Sequence, residues 1–504
     1  MTSLSSLLIQ FAVAGAILTG LTVWMKRHKN ILWTFLQHFV GVWFVFSGLV
    51  KAVDPIGTAY KMEDYFGAFE VTFDGLNNVF KGLAPMFPWL AKHAIGFSIT
   101  MIVFEIVLGI ALIVGWRKKL TAWLFLLLMI VFTVLTGFTY LTGYVPTDAN
   151  FFDFAKWGPY LGAQMRVQDC GCFGDFIKLD PKISFFKDLG LMVPALLFLW
   201  TRNQHELWTK RTREIIVGVS TLIVTLFCFQ NTYWNLPLVD FRPFKVGSNV
   251  RERKELESSA KVDILGWILE NTNTGEKVKF MEPEPNKFTY LKQYAAKDGW
   301  KVKEQIKTDL YVEKDGVKTT ITKSKVSDFA VESPDNGEVT EDILNEEGYS
   351  LMVVAYKFYG SQQVETYTVQ DTTWASDTIR VNKDSIALQR RVVSVQPKQM
   401  ERKVFIPTPE YADYFTKGIN PLAEGAQKAG WKVYAITTYG DAEYASDFAR
   451  KIEAKYPFYR ADDKLLKTII RANPGVVVWK DGVVVDMYHH KHLPGFDQLS
   501  AKHK

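Results

Sequence analysis

Long apolar segments dominate the first half of the chain and are nearly absent from the second. Before residue 235, six stretches approach the roughly 20 apolar residues that a helix needs to cross a bilayer. They cover residues 7–25, 31–50, 95–116, 120–144, 183–200 and 215–233. Beyond them the apolar runs are short and charged residues are frequent. The pattern predicts an α-helical membrane bundle of six spans, followed by a water-exposed part.

Basic residues in the short loops indicate how the spans are oriented. They cluster at residues 26–29, 117–119 and 202–213. Because cytoplasmic loops carry an excess of Lys and Arg, these three loops are expected inside. Both termini, the longer loops 51–94 and 146–182, and everything after about residue 234 are then expected outside. The first segment has its charges after the apolar run, so we interpret it as a retained span and not a cleaved signal.

Charge and cysteine content narrow the classes of function. The net charge of the 504 residues is +6, but the positive clusters lie at the ends of apolar segments. No basic stripe or arginine-rich helix is present, so the expected partner is the lipid bilayer and not nucleic acid. The sequence contains three cysteines, Cys170, Cys172 and Cys228, and any thiol chemistry must use them.

The part after residue 245 has the pattern of a mixed α/β domain. Apolar runs at 349–356 and 432–438 predict buried strands. Helices are predicted at 286–300, 409–430, 441–455 and 463–471, and hairpins at 261–280, 310–321 and 476–488. Residues 360–403 are too long for an ordinary loop and are interpreted as a β-rich insertion.

The element order of this domain resembles the thioredoxin fold: strand, helix, strand, two helices, proline, hairpin. Pro474 stands where that fold has a cis-proline before the last hairpin. The fold's redox motif is a CxxC at the start of the first helix, and no cysteine follows Cys228. The resemblance therefore implies a thioredoxin-like docking module that cannot exchange disulfides by itself.

Three motifs of the membrane part resemble one family. The second span ends in SGLVKAVDP (residues 47–55), the third contains Glu105, and the loop after the fourth reads DCGCFGD (169–175). Together they resemble the DoxX and MauE-like family of small bacterial membrane proteins, over roughly residues 31–200. The resemblance implies a DoxX-like four-helix core and a link to quinone-coupled or thiol-linked oxidoreduction. It implies a bacterial inner membrane location, with the C-terminal domain in the periplasm.

The two cysteines of the CGC motif are the first candidates for catalysis. Cys170 and Cys172 lie in a loop expected to face the oxidising compartment, where disulfides persist. A bond across one residue closes a very small ring, for which Gly171 supplies backbone freedom, and such a bond is expected to be reduced readily. The alternatives are a static disulfide or two inert thiols bracing a turn. Two thiolates are too few for a closed zinc site.

Ionisable residues within the spans are the second group of candidates, because burying charge in a bilayer is costly. His38 and Glu105 have similar expected depths, so a pair between them is feasible as a proton relay or a quinone contact; the alternative is a polar tie between helices. Lys51 and Asp54, at the outer end of span two, either pair with each other, contact the CGC loop, or only snorkel and cap.

Two further features carry weaker predictions. Cys228 is either a third thiol that resolves a mixed disulfide or a small apolar filler. Of His489, His490 and His492, strand alternation would place the last two on one face. No carboxylate or cysteine completes a ligand set, so no metal site is predicted.

Two functions remain open at this stage. One is an envelope-facing thiol or quinone oxidoreductase component, with catalytic Cys170, Cys172, Glu105 and His38, a quinone contacted by His38, Glu105, Lys51 and Asp54, and envelope proteins docking on the C-terminal domain. The other is a non-catalytic assembly factor or accessory subunit. The predicted domains are 1–30, 31–200, 201–244, 245–335 and 336–504, with the insertion at 360–403.

Overall fold

The computed structural model describes residues 4–167, 169–201, 203–281, 299–314, 316–382 and 385–503. The chain forms two units, Met1–Arg242 and Pro243–Lys504. Each unit is described by itself. The predicted helix at 286–300 lies outside the described residues except at its end.

Six helices among the described residues of the first unit are long and apolar enough to cross a membrane, as predicted. They are α1 (Leu4–Trp24), α2 (Ile31–Val53), α5 (Ala94–Val114), α6 (Lys118–Leu141), α7 (Pro181–Trp200) and α8 (Lys210–Tyr233). The helices extend a few residues beyond several predicted spans. In particular, α2 continues three residues past the predicted end, and α8 begins five residues earlier. The chain is a multi-pass membrane protein, and its orientation stays a prediction.

The first long loop contains two helices that the apolar pattern did not predict, α3 (Pro55–Asp74) and α4 (Met86–Lys92). Helix α3 begins directly after α2. Asp54 is its N-cap, because the Asp54 carboxylate accepts a hydrogen bond from the Gly57 N–H at 2.9 Å. Pro55 occupies the first helical position, where its missing N–H costs nothing.

Helices α2 and α5 pack backbone against backbone. A Cβ atom on Gly41 would lie 2.9 Å from the Gly109 carbonyl oxygen, and one on Gly109 would lie 2.8 Å from that of Gly41. Further along, a Cβ on Gly48 would overlap the Ile106 side chain. Small residues at such crossings let membrane helices approach closely.

The second unit is built on a seven-stranded sheet. The described strands of this unit, in chain order, are β1 (Ile264–Asn271), β2 (Lys277–Met281), β3 (Trp300–Lys307), β4 (Tyr311–Lys314), β5 (Val317–Thr320), β6 (Val331–Ser333), β7 (Gly337–Glu338), β8 (Tyr349–Ala355), β9 (Gly360–Asn382), β10 (Ser385–Pro407), β11 (Lys432–Thr438), β12 (Phe458–Ala461), β13 (Gly475–Lys480) and β14 (Val483–His489). The order in the large sheet is β14-β13-β8-β11-β12-β6-β7. Strands β8, β11 and β12 are parallel, and β13 is antiparallel to both β8 and β14. The predicted buried strands and three hairpins are present, whereas β3, β6, β7 and β12 were not predicted.

Helices cover the sheet and complete its core. They are α9 (Val250–Ser258), α10 (Thr340–Leu344), α11 (Pro409–Asp413), α12 (Asn420–Lys428), α13 (Ala445–Lys451), α14 (Asp463–Ile469) and α15 (Phe496–Lys502). A π-helical turn, Tyr414–Ile419, joins α11 to α12. Leu351, Phe415 and Phe448 are among the fully buried residues between helices and sheet. The Asn473–Pro474 peptide bond is cis, as the resemblance to thioredoxin implies.

The predicted insertion is a single long hairpin, β9 and β10, each of 23 residues. The two strands form a separate two-stranded sheet, so both edges are open. At about 3.3 Å per residue, the hairpin is roughly 75 Å long. Large side chains such as Tyr367, Trp374 and Val393 are exposed on it. The subdomain boundary predicted at residue 335 stays a prediction.

Candidate functional site

A cavity in the first unit lies among helices α2, α3, α5, α6 and α7 and the CGC loop. Its volume is about 70 Å³, several times the roughly 10–15 Å³ that one ordered water requires. Aromatic and aliphatic side chains such as Trp43, Phe132 and Leu191 form most of its wall. Two lysine–carboxylate pairs and the two thiols interrupt this apolar surface. The site therefore combines an apolar chamber with a few convergent polar groups, as ligand sites do.

The thiols of Cys170 and Cys172 line this cavity side by side. Their sulfur atoms are 3.4 Å apart, with the Cys172 S–H donating to the Cys170 sulfur, and both thiols are free. The Cys170 sulfur also lies 2.8 Å from the hydroxyl of Ser184, which is fully buried in the first turn of α7. The sequence motif predicts the proximity of the two cysteines, but not the contact with Ser184.

The two thiols differ in acidity. The hydrogen bond from Cys172 lowers the pKa of Cys170 to about 6, an effect that burial opposes and that Ser184 and the Lys187 ammonium reinforce. The same hydrogen bond and burial raise the pKa of Cys172 well above its usual value. Because the thiolate is the nucleophile, Cys170 is the reactive member of the pair at neutral pH.

Lys51 and Glu105 form a buried ion pair at the cavity wall. The Lys51 Nζ lies 2.7 Å from Glu105 Oε2, and the two side chains are 7% and 1% exposed. Lys51 also donates to the Ser47 hydroxyl at 3.3 Å, and Ser47 donates to the Cys172 carbonyl at 3.0 Å. A continuous hydrogen-bonded path therefore connects Glu105 to the backbone of the CGC loop. Lys51 does not snorkel, because α2 continues beyond it and keeps its side chain inside the bundle.

A second buried pair, Lys187 and Asp188, was missed by the sequence analysis. The Lys187 Nζ lies 2.5 Å from Asp188 Oδ1, and the Thr136 hydroxyl donates to Asp188 Oδ2 at 3.0 Å. Both charged side chains are almost fully buried and line the cavity. The available signal was their position in the fifth predicted span, where ionisable residues usually mark function.

The CGC loop is tied to helix α3. Lys61 Nζ lies 2.9 Å from Asp169 Oδ2, and Asp169 Oδ1 accepts the Gly171 N–H at 3.1 Å. Burial is the largest effect on Lys61 and lowers its pKa, but Asp169 and Asp64 raise the pKa above its usual value overall. Gly171 has φ +60°, a left-handed conformation that suits glycine. The thiols are therefore presented by a turn that a salt bridge holds in place.

His38 does not join this site. Its Nδ1 lies 3.1 Å from the Thr19 hydroxyl, and its ring centre lies 4.4 Å from that of His205. The predicted similar depth of His38 and Glu105 is wrong. Gln37, the residue before His38, donates to the Leu112 carbonyl, seven residues or about 10 Å along α5 from Glu105, whereas Glu105 lies beside Lys51. Depths counted from the ends of the predicted spans do not show how far α2 and α5 are shifted along each other.

Two further residues considered in the sequence analysis, Asp54 and Cys228, lie away from the cavity. Asp54 caps α3, as described above, and does not line the cavity. Cys228 is fully buried in an apolar cluster with Ala52, Ile102 and Ile106. This environment is the one expected if Cys228 is a small apolar filler and not a resolving thiol.

The C-terminal histidines do not follow the predicted alternation. Strand β14 ends at His489, and His490–His492 form a 3₁₀ turn. His490 Nδ1 donates to the Pro474 carbonyl at 2.8 Å, and its ring centre lies 4.2 Å from that of Tyr414, with the two planes tilted by 39°. Burial lowers the pKa of His489 to about 3 and that of His490 to about 4. Among the described residues, no group of three or more His, Cys, Asp or Glu is arranged to hold a metal.

Comparison with known protein families places part of the chain. Residues 29–147 match the family model described as Methylamine utilisation protein MauE. This part contains helices α2 to α6 with Lys51 and Glu105, and it ends before Cys170. The expected resemblance to MauE-like membrane proteins is thus confirmed over a shorter range than the predicted 31–200. No curated protein and no solved structure matches the chain.

Proposed function

We propose that this multi-pass, MauE-like membrane protein is a thiol-linked redox component of the bacterial cell envelope that serves the maturation of other envelope proteins. In this proposal Cys170 and Cys172 cycle between dithiol and disulfide. The observation that carries the proposal is the asymmetric thiol pair, 3.4 Å apart, at the wall of a largely apolar cavity. A static brace would require neither the acidic Cys170 thiol nor the buried charges beside it.

The charges beside the thiols suit the chemistry of such a cycle. Joining two thiols into a disulfide releases two electrons and two protons. Lys187 stabilises the Cys170 thiolate, and the Asp188 carboxylate, which accepts a hydrogen bond from Thr136, balances the charge of Lys187. Burying such charges is costly, and the attraction within each lysine–carboxylate pair, together with its further hydrogen bonds, offsets part of that cost.

A quinone is the proposed electron acceptor. When bound, a quinone would accept two electrons and two protons, which balances the oxidation of one dithiol to one disulfide. The aromatic and aliphatic wall would contact a planar ring, and the ammonium of Lys51 would bind a carbonyl oxygen. Because the chamber of about 70 Å³ is smaller than the roughly 150 Å³ cavity that holds a benzene ring, its walls must move apart for a quinone ring to enter. Of the four residues predicted to contact a quinone, only Lys51 and Glu105 line the cavity. His38 and Asp54 are therefore left out of this proposal.

The proposed location is the bacterial inner membrane, with the CGC loop and the second unit in the periplasm. The basic loops at 26–29, 117–119 and 202–213 support this orientation. A phosphatase reporter fused after residue 503 is expected to be active, because the enzyme requires the oxidising side. An active cytoplasmic reporter at the same position would reverse the orientation and remove the redox proposal with it.

The redox cycle can be tested on purified full-length protein in lipid nanodiscs. The reduced protein is mixed with a short-chain ubiquinone, then unfolded in denaturant that contains an alkylating reagent, so that every free thiol reacts, and weighed intact. We expect Cys170 and Cys172 to escape alkylation after exposure to quinone and to be alkylated again after reduction. The variant Cys228→Ser should behave like the native chain, because Cys228 lies in a separate cluster.

Two controls keep this experiment decisive. The variant Cys170→Ser should remove the cycle, because it replaces the thiol by a hydroxyl group of similar size that cannot form a disulfide. The variant Glu105→Gln should slow quinone-driven oxidation more than oxidation by a water-soluble disulfide, because the latter does not need the cavity. If both cysteines of the native protein are still alkylated after exposure to every quinone concentration, the redox proposal fails and the loop has only a structural role.

A second candidate function is a non-catalytic assembly factor, and the second unit favours it. That unit contains no cysteine, and its sheet order and helices support a thioredoxin-like domain without the redox motif. The exposed hairpin β9–β10, with Tyr367 and Trp374, is the proposed docking arm for envelope proteins. If a chain with both loop cysteines replaced by serine restores a deletion strain fully, this second function is the better one.

A further inference from the structure

The three loops that carry basic residues meet at one end of the bundle in the first unit. The Nζ atom of Lys118, the first residue of α6, lies 2.6 Å from Glu206 Oε1 in the loop between α7 and α8. A guanidinium nitrogen of Arg213, in the first turn of α8, lies 2.7 Å from Glu206 Oε2. Lys118 also donates to the Gln204 carbonyl at 3.3 Å. These contacts hold the loop between α7 and α8 against the start of α6.

The loop between α1 and α2 brings a further cation to this place. Lys29 interacts directly with Lys118, whose ammonium group has the largest effect on Lys29 and lowers its pKa below the usual value, while Glu206 has a smaller, opposite effect. The ring centres of Trp33, near the start of α2, and Phe198, near the end of α7, are 6.4 Å apart. This contact places the start of α2 beside the loop that follows α7. The position of Lys29 therefore follows from helix packing as well.

The charged residues gathered here, which we call the basic cluster, have an excess of positive charge. The described members of the basic cluster are Lys29, Arg117, Lys118, Glu206, Arg213 and Glu214. Arg117 Nε lies 2.8 Å from Glu214 Oε1, and the other three cations of these described members share the Glu206 carboxylate. The Arg213 side chain is only 10% exposed, whereas Lys29 is exposed. Because neighbouring ammonium groups repel each other, an anion that binds between Lys29 and Lys118 would stabilise the cluster.

Exposed tryptophans at the same end of the spans indicate the depth of the basic cluster in the membrane. Trp24, the last residue of α1, and Trp200, the last residue of α7, are both 80% exposed. Tryptophan side chains are enriched at the level of the lipid headgroups. Leu32, in the first turn of α2, is 72% exposed, and in a membrane span such a side chain contacts acyl chains. The basic cluster therefore lies at the depth of the headgroups, beside an apolar surface that faces lipid.

We propose that Lys29 and Lys118 bind the phosphate of an anionic phospholipid, such as phosphatidylglycerol, with Glu206 holding Lys118 in place. Phosphate oxygens accept charge-assisted hydrogen bonds from ammonium groups, and basic pockets between membrane helices bind lipid headgroups in this way. A choline headgroup carries its own cation, which the excess positive charge of the basic cluster repels. The site lies at the start of α6, whereas the CGC loop follows the other end of this helix. It is therefore independent of the proposed redox function.

The test measures lipid binding to the full-length protein in detergent by native mass spectrometry, with phosphatidylglycerol and phosphatidylcholine as probes. We expect the native chain to bind phosphatidylglycerol more tightly than phosphatidylcholine. The variant Lys29→Gln should weaken the binding of phosphatidylglycerol by about fivefold, the contribution of one lysine near an anionic lipid surface. The matched control Lys119→Gln removes the same charge at an exposed position outside the cluster. It should change the affinity by less than about twofold at about 0.15 M salt, where the Debye length is about 8 Å.

Equal losses of affinity in Lys29→Gln and Lys119→Gln would overturn the proposal, because they would indicate a diffuse surface charge and not a site. Equal affinities of the native chain for the two lipids would overturn it as well, and this comparison needs no variant. Release of the lipid by an equal concentration of inorganic phosphate would indicate a site for the free anion instead. The variant Lys29→Arg, which keeps the charge, should bind like the native chain; a loss as large as that of Lys29→Gln would contradict the phosphate contact.

Discussion

The acidity of Cys170 leads to a quantitative prediction for its reactivity. With a pKa of about 6, about 90% of Cys170 is thiolate at pH 7, against about 3% for an ordinary cysteine with a pKa near 8.5. The lower pKa also weakens the nucleophile, by about 10- to 20-fold at a Brønsted coefficient of 0.4–0.5. The two effects nearly cancel at pH 7, where Cys170 should react only about twice as fast as an ordinary thiol.

The advantage becomes large in mild acid. At pH 5.5 about a quarter of Cys170 is still thiolate, against about 0.1% of an ordinary cysteine, so the net advantage rises to roughly 15-fold. The rate should increase about tenfold per pH unit below 6 and level off above it, because the thiolate forms as pH rises through the pKa. Cys172, whose pKa is raised, should stay unreactive over the same range.

Site-resolved alkylation measures both curves in one experiment. Fully reduced protein is pulsed with iodoacetamide from pH 4.5 to 9, and each cysteine is quantified by peptide mass spectrometry. The variant Ser184→Ala should move the Cys170 midpoint upwards, because it removes one hydrogen bond to the sulfur. Ser98→Ala, at another buried serine that does not line the cavity, is the matched control and should leave the midpoint unchanged. A native midpoint at pH 8 or above, or identical curves for both cysteines, would refute the reasoning.

Three further predictions concern stability, each measured by unfolding in detergent. Glu105→Gln should lower the free energy of unfolding by about 3–5 kcal/mol, because it leaves Lys51 buried without its partner. Adding Lys51→Met should restore part of this loss. If it restores nothing, the loss does not come from the broken ion pair. Gly171→Ala should cost about 1 kcal/mol because of its positive φ, and an unchanged melting temperature would contradict the left-handed turn. Replacing residues 368–399 by an Asn-Gly turn should leave the melting temperature of the second unit within a few degrees, since the replaced part of the hairpin lies outside the core; a large decrease would show that the arm supports the fold.

The spans could be predicted because a bilayer imposes a length and a composition that local sequence alone satisfies. The partners of the charged residues could not. His38 and Glu105 lie about two helical turns apart along the bundle, because α2 and α5 pack with Gly41 beside Gly109 and Gly48 beside Ile106. This axial offset is set by packing between the helices, and one-dimensional periodicity does not contain it.

Helix α3 was missing from the sequence prediction for a different reason. Its mixture of aromatic and charged residues hides it from a search for apolar runs. The local signals were nevertheless present, since Asp54 and Pro55 are a typical N-cap and first helical residue. In the second unit, the alternation of apolar runs predicted the main strands. Strand β12 was missed because Phe458–Ala461 has only four residues and includes a charged one.

Gly48 has a consequence for the electrostatics of the chamber. It stands one turn before Lys51 on α2, and it faces Ile106, the neighbour of Glu105, at a separation that admits no further carbon atom. Any larger residue there would wedge the two helices apart at the level where the ammonium and carboxylate meet. A larger residue at position 48 would therefore separate Lys51 from Glu105 and leave the ammonium buried without its counter-charge. An uncharged substitution there would have the same effect as removing the carboxylate.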